Sequence, residues 1–494
     1  MTVLHVLSHA RAAAACPILA ILAILATGLP ASAQPGGAGL YSRNCASCHG
    51  ANLQGTGLGP ALSRETYRYG GSRGDLARII TNGVVSQGMP AFGAALSEEE
   101  VAAIAAFLPA REGEEEEAEP RSFDDRKDGR TAETPDYAIH VEVIADGLQT
   151  PWAIAFLDAQ TAFVTERTGR LRLVKNGVLA EEPVSGTPQV FVHSHEWNQG
   201  GLLDVAIDPD YAENGWIYLS YSHQLPGSGA DGEPLAMTRV VRGRIRDSRW
   251  VDQEVLFEAD PAAYAETFWH YGGRMVIDDE RRLHVSVGDR GSHELAREPG
   301  RPNGKVHRLE TDGAIPEDNP FRVQDGALPT EFSRGHRNPQ GMTIEPATGR
   351  IWATEHGPRG GDELNIVTRG GDYGWPVISY GINYDGTILT PDTRASGIEQ
   401  PVYYWRPSIG VSGLTFYHGD EFPLWEGKLL VTGLGPRDLR LLTIDEDRVQ
   451  HEEIVFEAEG RPYEPVVGPD GAIYLVTDDP GRVLRLTAKE ERKL

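Results

Sequence analysis

The chain is poor in cysteine and in positive charge, and each shortage excludes a class of protein. Only three cysteines occur in 494 residues, and Cys16 lies in an N-terminal stretch that we expect to be removed, so a disulfide framework is excluded. Acidic residues outnumber Lys and Arg by 72 to 46, for a formal net charge of −26. No basic stripe interrupts this charge, which argues against nucleic acid or an anionic membrane surface as a partner.

Apolar runs long enough to cross a membrane are also lacking. The apolar run at residues 17–29 is well short of the roughly 20 residues that a spanning helix needs, so we expect no stable membrane insertion. Arg11 precedes this run and the small residues Ala31, Ser32 and Ala33 follow it, as is typical of a secretory signal and its cleavage site. We therefore predict a signal peptide over residues 1–33 and a periplasmic or secreted location.

The two remaining cysteines stand beside a histidine: Cys45, Cys48 and His49 have the spacing C-x-x-C-H. Two thiols at this spacing can add to haem vinyl groups while the imidazole binds the iron. A redox dithiol or half of a zinc site would use the same thiols, but there is no second thiol pair, and the adjacent histidine suits haem better. Met89, in a loop with Gly and Pro, is the candidate sixth iron ligand, because this segment has no other methionine.

Helical patterns surround this motif at residues 39–44, 72–81 and 101–108, and Ser97 is the expected N-cap of the last helix. Residues 37–109 closely resemble the small class I cytochromes c, which implies a small all-α domain. The following residues, 110–135, are rich in charge with almost no apolar content. Such a segment cannot bury enough surface to order itself, so we predict an acidic flexible linker.

The rest of the chain, residues 137–489, has short β-rich runs separated by Gly, Pro, Asp and Asn turns. A strand-turn-strand pattern recurs at residues 152–165, 203–221, 273–288, 341–355, 413–433 and 464–478. A β-sandwich would not need six copies of such a phrase. We therefore predict an all-β six-bladed propeller preceded by the small all-α domain.

Several loops of this domain are rich in polar residues, and the loops at one end of a propeller converge around its channel. His270 is a candidate base for the proton of a substrate hydroxyl. Arg337 and Asn338 suit an anionic planar cofactor. The carboxylates of Asp362 and Glu363 and the carbonyl oxygens of Gly357 and Pro358 suit a hard cation such as calcium. Each feature alone is more often structural, but together they indicate a redox site.

Four phrases at the same loops, at residues 199–203, 335–341, 357–365 and 371–376, resemble the soluble quinoprotein glucose and aldose sugar dehydrogenases of the glucose/sorbosone dehydrogenase group. The resemblance implies a six-bladed propeller with pyrroloquinoline quinone (PQQ) at its mouth and a calcium ion on that quinone. It also implies oxidation of an aldose at C1 to the lactone.

Carried over by position, the resemblance assigns His270 as the general base. It implies a PQQ pocket of Gln199, Arg337, Asn338, His356 and Arg461, carbonyl ligands to the cofactor calcium at Gly357 and Pro358, and ligands of a second, structural calcium at Glu363 and Tyr373. The chain departs from the family pattern at Trp269, where the family often has an acidic residue or a histidine that orients the base. It also departs at Gly435 and Tyr463, where cationic contacts to the cofactor occur, and Arg359 or Arg437 are candidates to replace them.

The predicted function is a periplasmic PQQ-dependent aldose dehydrogenase that passes electrons from PQQ to its own covalent haem c. From there they would pass to an external acceptor, such as another cytochrome or a copper protein. Two alternatives remain open at this point: a calcium-dependent lactonase or other hydrolase, and a non-catalytic binding propeller with a cytochrome. The attached haem favours the oxidoreductase, because it has little purpose beside a propeller without redox chemistry.

Overall fold

A computed structural model of the chain describes residues 36–56, 61–62, 73–83, 89–93, 95–109, 130–195 and 197–491. The predicted signal peptide and residues 110–129 of the predicted linker lie outside them. The described residues form two compact units, one before residue 110 and one from residue 130 onward. In this part of the chain no helix is both long and apolar enough to cross a membrane.

The first unit is all-α, as predicted. Its helices are α1 (Gly37–Asn44), α2 (Ala46–His49), α3 (Arg73–Asn82) and α4 (Glu98–Phe107). The predicted N-cap of α4 is confirmed, because Ser97 Oγ accepts from the Glu100 N–H at 3.2 Å and the Glu100 carboxylate accepts from the Ser97 N–H at 3.0 Å. This capping box pairs two donors that would otherwise be left open at the start of the helix.

An apolar cluster joins these helices around the C-x-x-C-H motif. Cys45 is buried in this cluster with Ile104 of α4, and Met89 packs against it. The Tyr41 hydroxyl donates to the Gly50 carbonyl at 2.7 Å, which ties α1 to the residue that follows α2.

The second unit has six antiparallel sheets and confirms the predicted six-bladed propeller. The chain enters it through β1 (Arg130–Glu133) and β2 (Tyr137–Ala145). Blade 1 has β3 (Pro151–Asp158), β4 (Thr161–Glu166), β5 (Arg170–Lys175) and β6 (Val178–Leu179). Blade 2 has β7 (Leu202–Ile207), β8 (Ile217–Ser228), β9 (Pro234–Arg246) and β10 (Arg249–Phe257), with the short helix α5 (Tyr211–Asn214) between β7 and β8.

The remaining blades repeat this arrangement. Blade 3 has β11 (Met275–Ile277), β12 (Arg282–Val287), β13 (Lys305–Glu310) and β14 (Glu331–Arg334). Blade 4 has β15 (Pro339–Ile344), β16 (Ile351–Glu355), β17 (Asp362–Val367) and β18 (Tyr403–Trp405). Blade 5 has β19 (Val411–Phe416), β20 (Leu429–Gly433), β21 (Asp438–Asp445) and β22 (Arg448–Glu457). Blade 6 has β23 (Arg461–Val467), β24 (Ile473–Asp478) and β25 (Arg482–Glu491). Single 3₁₀ turns lie at Pro261–Ala263, His293–Ala296 and Pro423–Trp425.

The ring closes through blade 6, whose strand order is β1-β2-β25-β24-β23. Strand β2 pairs antiparallel with β25, so the two ends of the domain share one sheet. Strand β1 pairs with the outer edge of β2, which corrects the end of the predicted linker from residue 135 to before residue 130. The sequence did not predict this strand, because the composition of Arg130–Glu133 is polar. The segment is ordered by pairing with an open sheet edge and not by apolar burial.

The six predicted strand-turn-strand phrases are the first two strands of the six blades. The first strand of each blade contacts that of the next, and β23 contacts β3, so these strands surround the channel. Strands β16 and β20 are buried along their whole length, because neighbouring blades cover both faces. Loops before the first strand and after the second therefore meet at one end of the channel, here called the mouth.

Candidate active site

His270 lies at the mouth in the loop before β11, and Asp289 follows β12 in the same blade. Both side chains are buried, and His270 Nδ1 is 2.6 Å from Asp289 Oδ1. A carboxylate at this position keeps the proton on Nδ1, which leaves Nε2 as the basic atom. The backbone of His270 has a φ of 57°, uncommon for a residue with a side chain. Its N–H donates to Gln199 Oε1 at 2.8 Å, which helps to hold this conformation.

Burial lowers the pKa of His270 to about 4, and the Arg337 guanidinium adds to the lowering, while Asp289 opposes it. Burial alone would raise the pKa of Asp289, but the charge and hydrogen bond of His270, followed by the bond from His293, hold it far below its usual range. At neutral pH the pair is therefore a carboxylate beside an uncharged imidazole, which is the state that a general base requires.

The Asp289 carboxylate is fixed by three further donors. Its Oδ1 also accepts from the Gly291 N–H at 2.8 Å, and its Oδ2 accepts from His293 Nδ1 at 2.7 Å and Trp375 Nε1 at 2.8 Å. Asp289 therefore supplies the orienting group that the family often has next to the base, at the position of Trp269 here. An acidic residue in a Gly-rich turn directly after an inner strand is the signal that could have identified it.

The side chains of Gln199 and Asn338 meet beside the base. Asn338 Nδ2 is 3.5 Å from Gln199 Oε1, and Asn338 Oδ1 accepts from the Gly272 N–H at 3.1 Å. Because Gln199 also binds the His270 backbone, these two amides connect the predicted cofactor pocket to the predicted base.

Arg337 lies in the same loop as Asn338. Its Nη1 donates to the carbonyl oxygens of His356 at 3.1 Å and Gly357 at 2.8 Å, and its guanidinium lies over the Trp375 ring. Its Nε atom is buried and has no hydrogen-bond partner among the described residues. An unpaired buried guanidinium N–H is costly, so it fits an anionic ligand that accepts from it.

His356 follows β16, and its Nε2 is 2.6 Å from Gln340 Oε1. Burial lowers its pKa to about 4, Asp362 opposes this shift, and the charges of Arg337 and Arg461 add to it. Both guanidinium groups therefore act on one uncharged imidazole. The structure thus brings together Gln199, Arg337, Asn338 and His356, with the charge of Arg461 near enough to act on His356. Their cationic and amide groups fit a planar polyanion.

Tyr463, at the position of a second family arginine, is buried. Burial raises the pKa of its hydroxyl, and the charges of Arg461 and Arg167 oppose that shift. Arg167 Nε donates to the Gly200 carbonyl at 3.2 Å, and a second guanidinium nitrogen donates to the Asn198 carbonyl. Arg167 is therefore a cation beside the Gln199 loop that the sequence did not identify, since it lies in blade 1 outside the four family phrases.

Arg437 and Arg359 are the two arginines expected to replace the cationic contacts missing at Gly435 and Tyr463. Arg437 donates to the Glu459 carbonyl at 2.7 Å, and Arg359 is exposed, with its main chain paired to Ile382. Gly435 has its N–H bonded to the Ile409 carbonyl.

The predicted ligands of the cofactor calcium are two carbonyl groups. The Gly357 oxygen accepts from Arg337, and the Pro358 oxygen accepts from Ser408 Oγ at 3.3 Å, which leaves each a second lone pair. No group of three or more His, Cys, Asp or Glu side chains suited to a metal occurs in the described ranges. This calcium therefore stays a prediction that depends on carbonyl oxygens.

Glu363 and Tyr373 line a cavity of about 10 Å³ together with Glu355. Asn365 Nδ2 bridges the two carboxylates, at 2.9 Å from Glu355 Oε1 and 3.2 Å from Glu363 Oε2. Burial raises the pKa of Glu363 well above its usual range, and the charge of Glu355 adds to this. A cation here would relieve both effects. The Tyr373 hydroxyl donates to the Ile366 carbonyl at 2.5 Å and accepts from the Thr368 N–H at 2.8 Å, so it is already paired within the protein.

In the first unit, Cys45 and Cys48 are both free thiols, and His49 is buried on the same helical turn. Burial raises the pKa of the Cys45 thiol, and Cys48 adds to the shift. Two unbridged thiols beside a buried imidazole fit haem c. Met89 packs against the cluster that contains Cys45, and its role as the sixth iron ligand stays a prediction.

A propeller mouth that combines a carboxylate-oriented, uncharged histidine with guanidinium and amide groups fits a cofactor-dependent oxidoreductase. The profile described as glucose/sorbosone dehydrogenase matches residues 148–485, and the chain belongs to this family. A second profile, described as cytochrome c oxidase, cbb3-type, subunit III, matches residues 32–108, which supports the cytochrome c domain.

Individual relatives agree with this assignment. The aldose sugar dehydrogenase YliI of Escherichia coli is 39% identical over 359 residues, which cover 71% of this chain and 93% of the relative. The quinoprotein glucose dehydrogenase B of Acinetobacter calcoaceticus is 27% identical over 420 residues, which cover 69% of this chain and 86% of the relative. The crystal structure of the soluble aldose sugar dehydrogenase from Escherichia coli in the apo-form is 38% identical to this chain, with a TM-score of 0.65. The match covers 71% of this chain and 100% of that chain. The predicted class, a PQQ-dependent sugar dehydrogenase with a cytochrome c domain, is thereby confirmed at the level of the family.

Proposed function

We propose that the protein oxidises an aldose at C1 to the lactone and passes the electrons through PQQ to its own covalently attached haem c, and then to an external acceptor. The observation that carries this proposal is the His270–Asp289 pair, at 2.6 Å. It offers an uncharged base at the mouth, connected through Gln199 to amide and guanidinium groups that suit an anionic cofactor.

When bound, PQQ with calcium supplies the two-electron acceptor at C1, and haem c supplies a one-electron outlet. Arg337, Asn338 and Gln199 would hold the cofactor by charge and hydrogen bonds. His356 would add an uncharged imidazole, and Gly357 and Pro358 would offer carbonyl oxygens to calcium.

Oxidation at C1 removes two electrons and two hydrogens from the sugar, and one of these hydrogens leaves the hydroxyl as a proton. His270 Nε2 accepts that proton, because a pKa of about 4 leaves this nitrogen unprotonated at neutral pH. Asp289 then stabilises the imidazolium that forms. The proton is later released to solvent, which restores the base.

We further propose that the protein is exported and works in the periplasm or outside the cell, since residues 1–33 have the pattern of a secretory signal. Covalent haem attachment fits this location. The external acceptor would be another cytochrome or a copper protein, and the net charge of −26 favours one with a basic face.

The proposal is tested by reconstituting the purified full chain with PQQ and calcium and following the haem absorbance after adding aldoses. We expect haem reduction that requires both PQQ and sugar. Lactone hydrolysis without haem reduction would instead indicate the hydrolase, and failure to bind PQQ would indicate a binding propeller.

The matched pair of variants is His270→Ala and His418→Ala. His418 is exposed and follows β19, so it lies at the opposite end of its blade from the mouth. We expect His270→Ala to bind PQQ but lose sugar-dependent haem reduction, and His418→Ala to retain it. Equal haem reduction in both variants would refute the assignment of the base.

A further inference from the structure

The base stands on a segment that no strand or helix holds in place. Residues 267–271 lie outside both kinds of element, and β11 begins only at Met275. His270 also has a positive φ of 57°, and a residue with a side chain keeps such a conformation only where its surroundings fix it. The position of the base therefore depends on side chains that bind the backbone of this segment.

Gln199 and Arg290 bind that backbone, and the proposed reaction gives Arg290 no role. Gln199 Oε1 accepts from the His270 N–H at 2.8 Å. Arg290 Nη2 donates to the Thr267 carbonyl at 2.5 Å, and its Nη1 donates to the Trp269 carbonyl. The Thr267 hydroxyl donates in return to the Arg290 carbonyl at 2.7 Å. One guanidinium group therefore fixes two carbonyls directly before the base.

The guanidinium group of Arg290 is fully enclosed by the protein. Arg290 is 0% exposed, its Cζ lies 3.4 Å from the centre of the Tyr271 ring, and its Nη2 is 3.4 Å from the Ala236 carbonyl of β9. Burying a cation is costly, and an apolar side chain would fill the same space without that cost. An arginine here is therefore explained by the carbonyls that its donors reach, which an apolar side chain could not bind.

The turn that carries Arg290 also carries Asp289, which orients the imidazole. Asp289 Oδ1 lies 2.6 Å from His270 Nδ1, and Arg290 follows with a positive φ of 56°. A Cβ added at Gly288 would lie 2.2 Å from the His270 carbonyl oxygen, so the turn and the base are in close contact. One turn thus holds the ring of the base through Asp289 and the backbone before it through Arg290.

We propose that Arg290 is a positioning residue, which holds the backbone before His270 so that the imidazole meets both Asp289 and the substrate hydroxyl. This role rests on the proposed function, because it needs His270 to be the base. Arg290 touches neither substrate nor cofactor, since it is enclosed and its donors bind carbonyls. A displacement of about 1 Å can slow a reaction by about 10²-fold, so losing these contacts should affect kcat far more than the binding of sugar or PQQ.

The role is tested first in the full chain without PQQ, through the proton shared by His270 and Asp289. A bond of 2.6 Å to a carboxylate is short, and its proton gives a downfield NMR signal that His270→Ala identifies by its loss. Arg290→Met keeps the side-chain length without donors, and we expect it to shift or remove the signal. With PQQ and calcium, kcat should fall by about 10²-fold, while the KM for aldose and the Kd for PQQ change by less than about twofold. Arg290→Lys keeps the charge but lacks the planar fork, so its kcat should lie between those of Arg290→Met and the wild type.

Arg308→Lys is the matched control in the same blade. Arg308 is also buried and lies over an aromatic ring, 5.0 Å from the centre of Phe332, but it pairs with His284 towards the end of the blade opposite the mouth. We expect this variant to keep both the proton signal and kcat. An unchanged signal and kcat in the Arg290 variants, or an equal loss in Arg290→Lys and Arg308→Lys, would overturn the role. A wild type whose haem no sugar reduces would count against the proposed function alone, because the proton signal still decides whether Arg290 positions the pair.

Discussion

Replacing Asp289 by asparagine is the sharpest test of how the base is held. Asparagine has the same shape but only one acceptor oxygen, whereas Asp289 accepts from four donors. Two of these donors, the Gly291 N–H and Trp375 Nε1–H, cannot become acceptors, and they bind opposite oxygens of the carboxylate. Either orientation of the amide therefore sets its NH₂ group against a fixed donor.

Both orientations weaken the base. If the NH₂ group faces His270, the imidazole must accept at Nδ1 and carry its proton on Nε2, which removes the basic atom. If it faces Trp375, the carboxylate charge is lost. The charge of Asp289 raises the pKa of His270, so without it that pKa falls further below about 4. We expect kcat to fall by about 10²–10⁴-fold, the usual contribution of a general base. The free energy of unfolding should fall by about 1–3 kcal/mol for the unpaired buried donor.

The assay is stopped-flow haem reduction across a range of pH, with PQQ binding and circular dichroism measured on the same samples. The wild-type rate should rise as the pH passes about 4 and then stay level, because His270 is unprotonated above its pKa. The variant should have a much lower plateau with a similar KM for sugar.

His293→Gln is the matched control, because it also alters a donor to Asp289 but at a side chain that is 40% exposed. We expect it to change kcat by less than about tenfold. A folded Asp289→Asn protein with the wild-type rate and pH profile would show that the pair is not the catalytic base.

Three further predictions concern the calcium sites, acid stability and the haem. Calcium should raise the melting temperature of the wild type in calorimetry by about 2–4 °C per kcal/mol of binding, and Glu363→Gln should lose that rise; an equal rise in both would refute the cavity as a calcium site. Acid should destabilise the propeller between about pH 6.5, the usual histidine pKa, and pH 4, because burial lowers the pKa of His356 to about 4 and of His307 to about 3. In this window the unfolded chain binds protons that the folded chain does not, so stability is lost as the pH falls; a constant urea midpoint would contradict this. Met89→His should lower the haem reduction potential by about 0.1 V or more in a redox titration, and an unchanged potential would exclude Met89 as the sixth ligand.

The sequence predicted the inner strands better than the outer ones. The first two strands of each blade lie between neighbouring blades, so they appear as repeated apolar runs, and β16 is buried along its whole length. Outer strands such as β10 alternate irregularly between exposed and buried residues, and the polar strand β1 has no apolar pattern. Their positions depend on an adjacent strand edge, which composition does not reveal.

In the active site, too, some residues can be recognised from the sequence and others cannot. His270, Arg337, Asn338 and Gln199 stand in short phrases whose chemistry can be recognised one loop at a time. Asp289 cannot be recognised in this way, because its partner His270 is 19 residues away in the sequence and the two meet only when blade 3 folds.

By itself, the sequence determined the C-x-x-C-H motif, the number of blades and the family, and it predicted His270 as the base. These depend on residue type and short-range periodicity, which are local properties of the chain. The tertiary structure decided which carboxylate orients His270, that Arg167 stands beside the Gln199 loop, and that β1 and β2 close the ring. Each of these is a contact between segments that meet only when the blades close around the channel, so no local pattern specifies it.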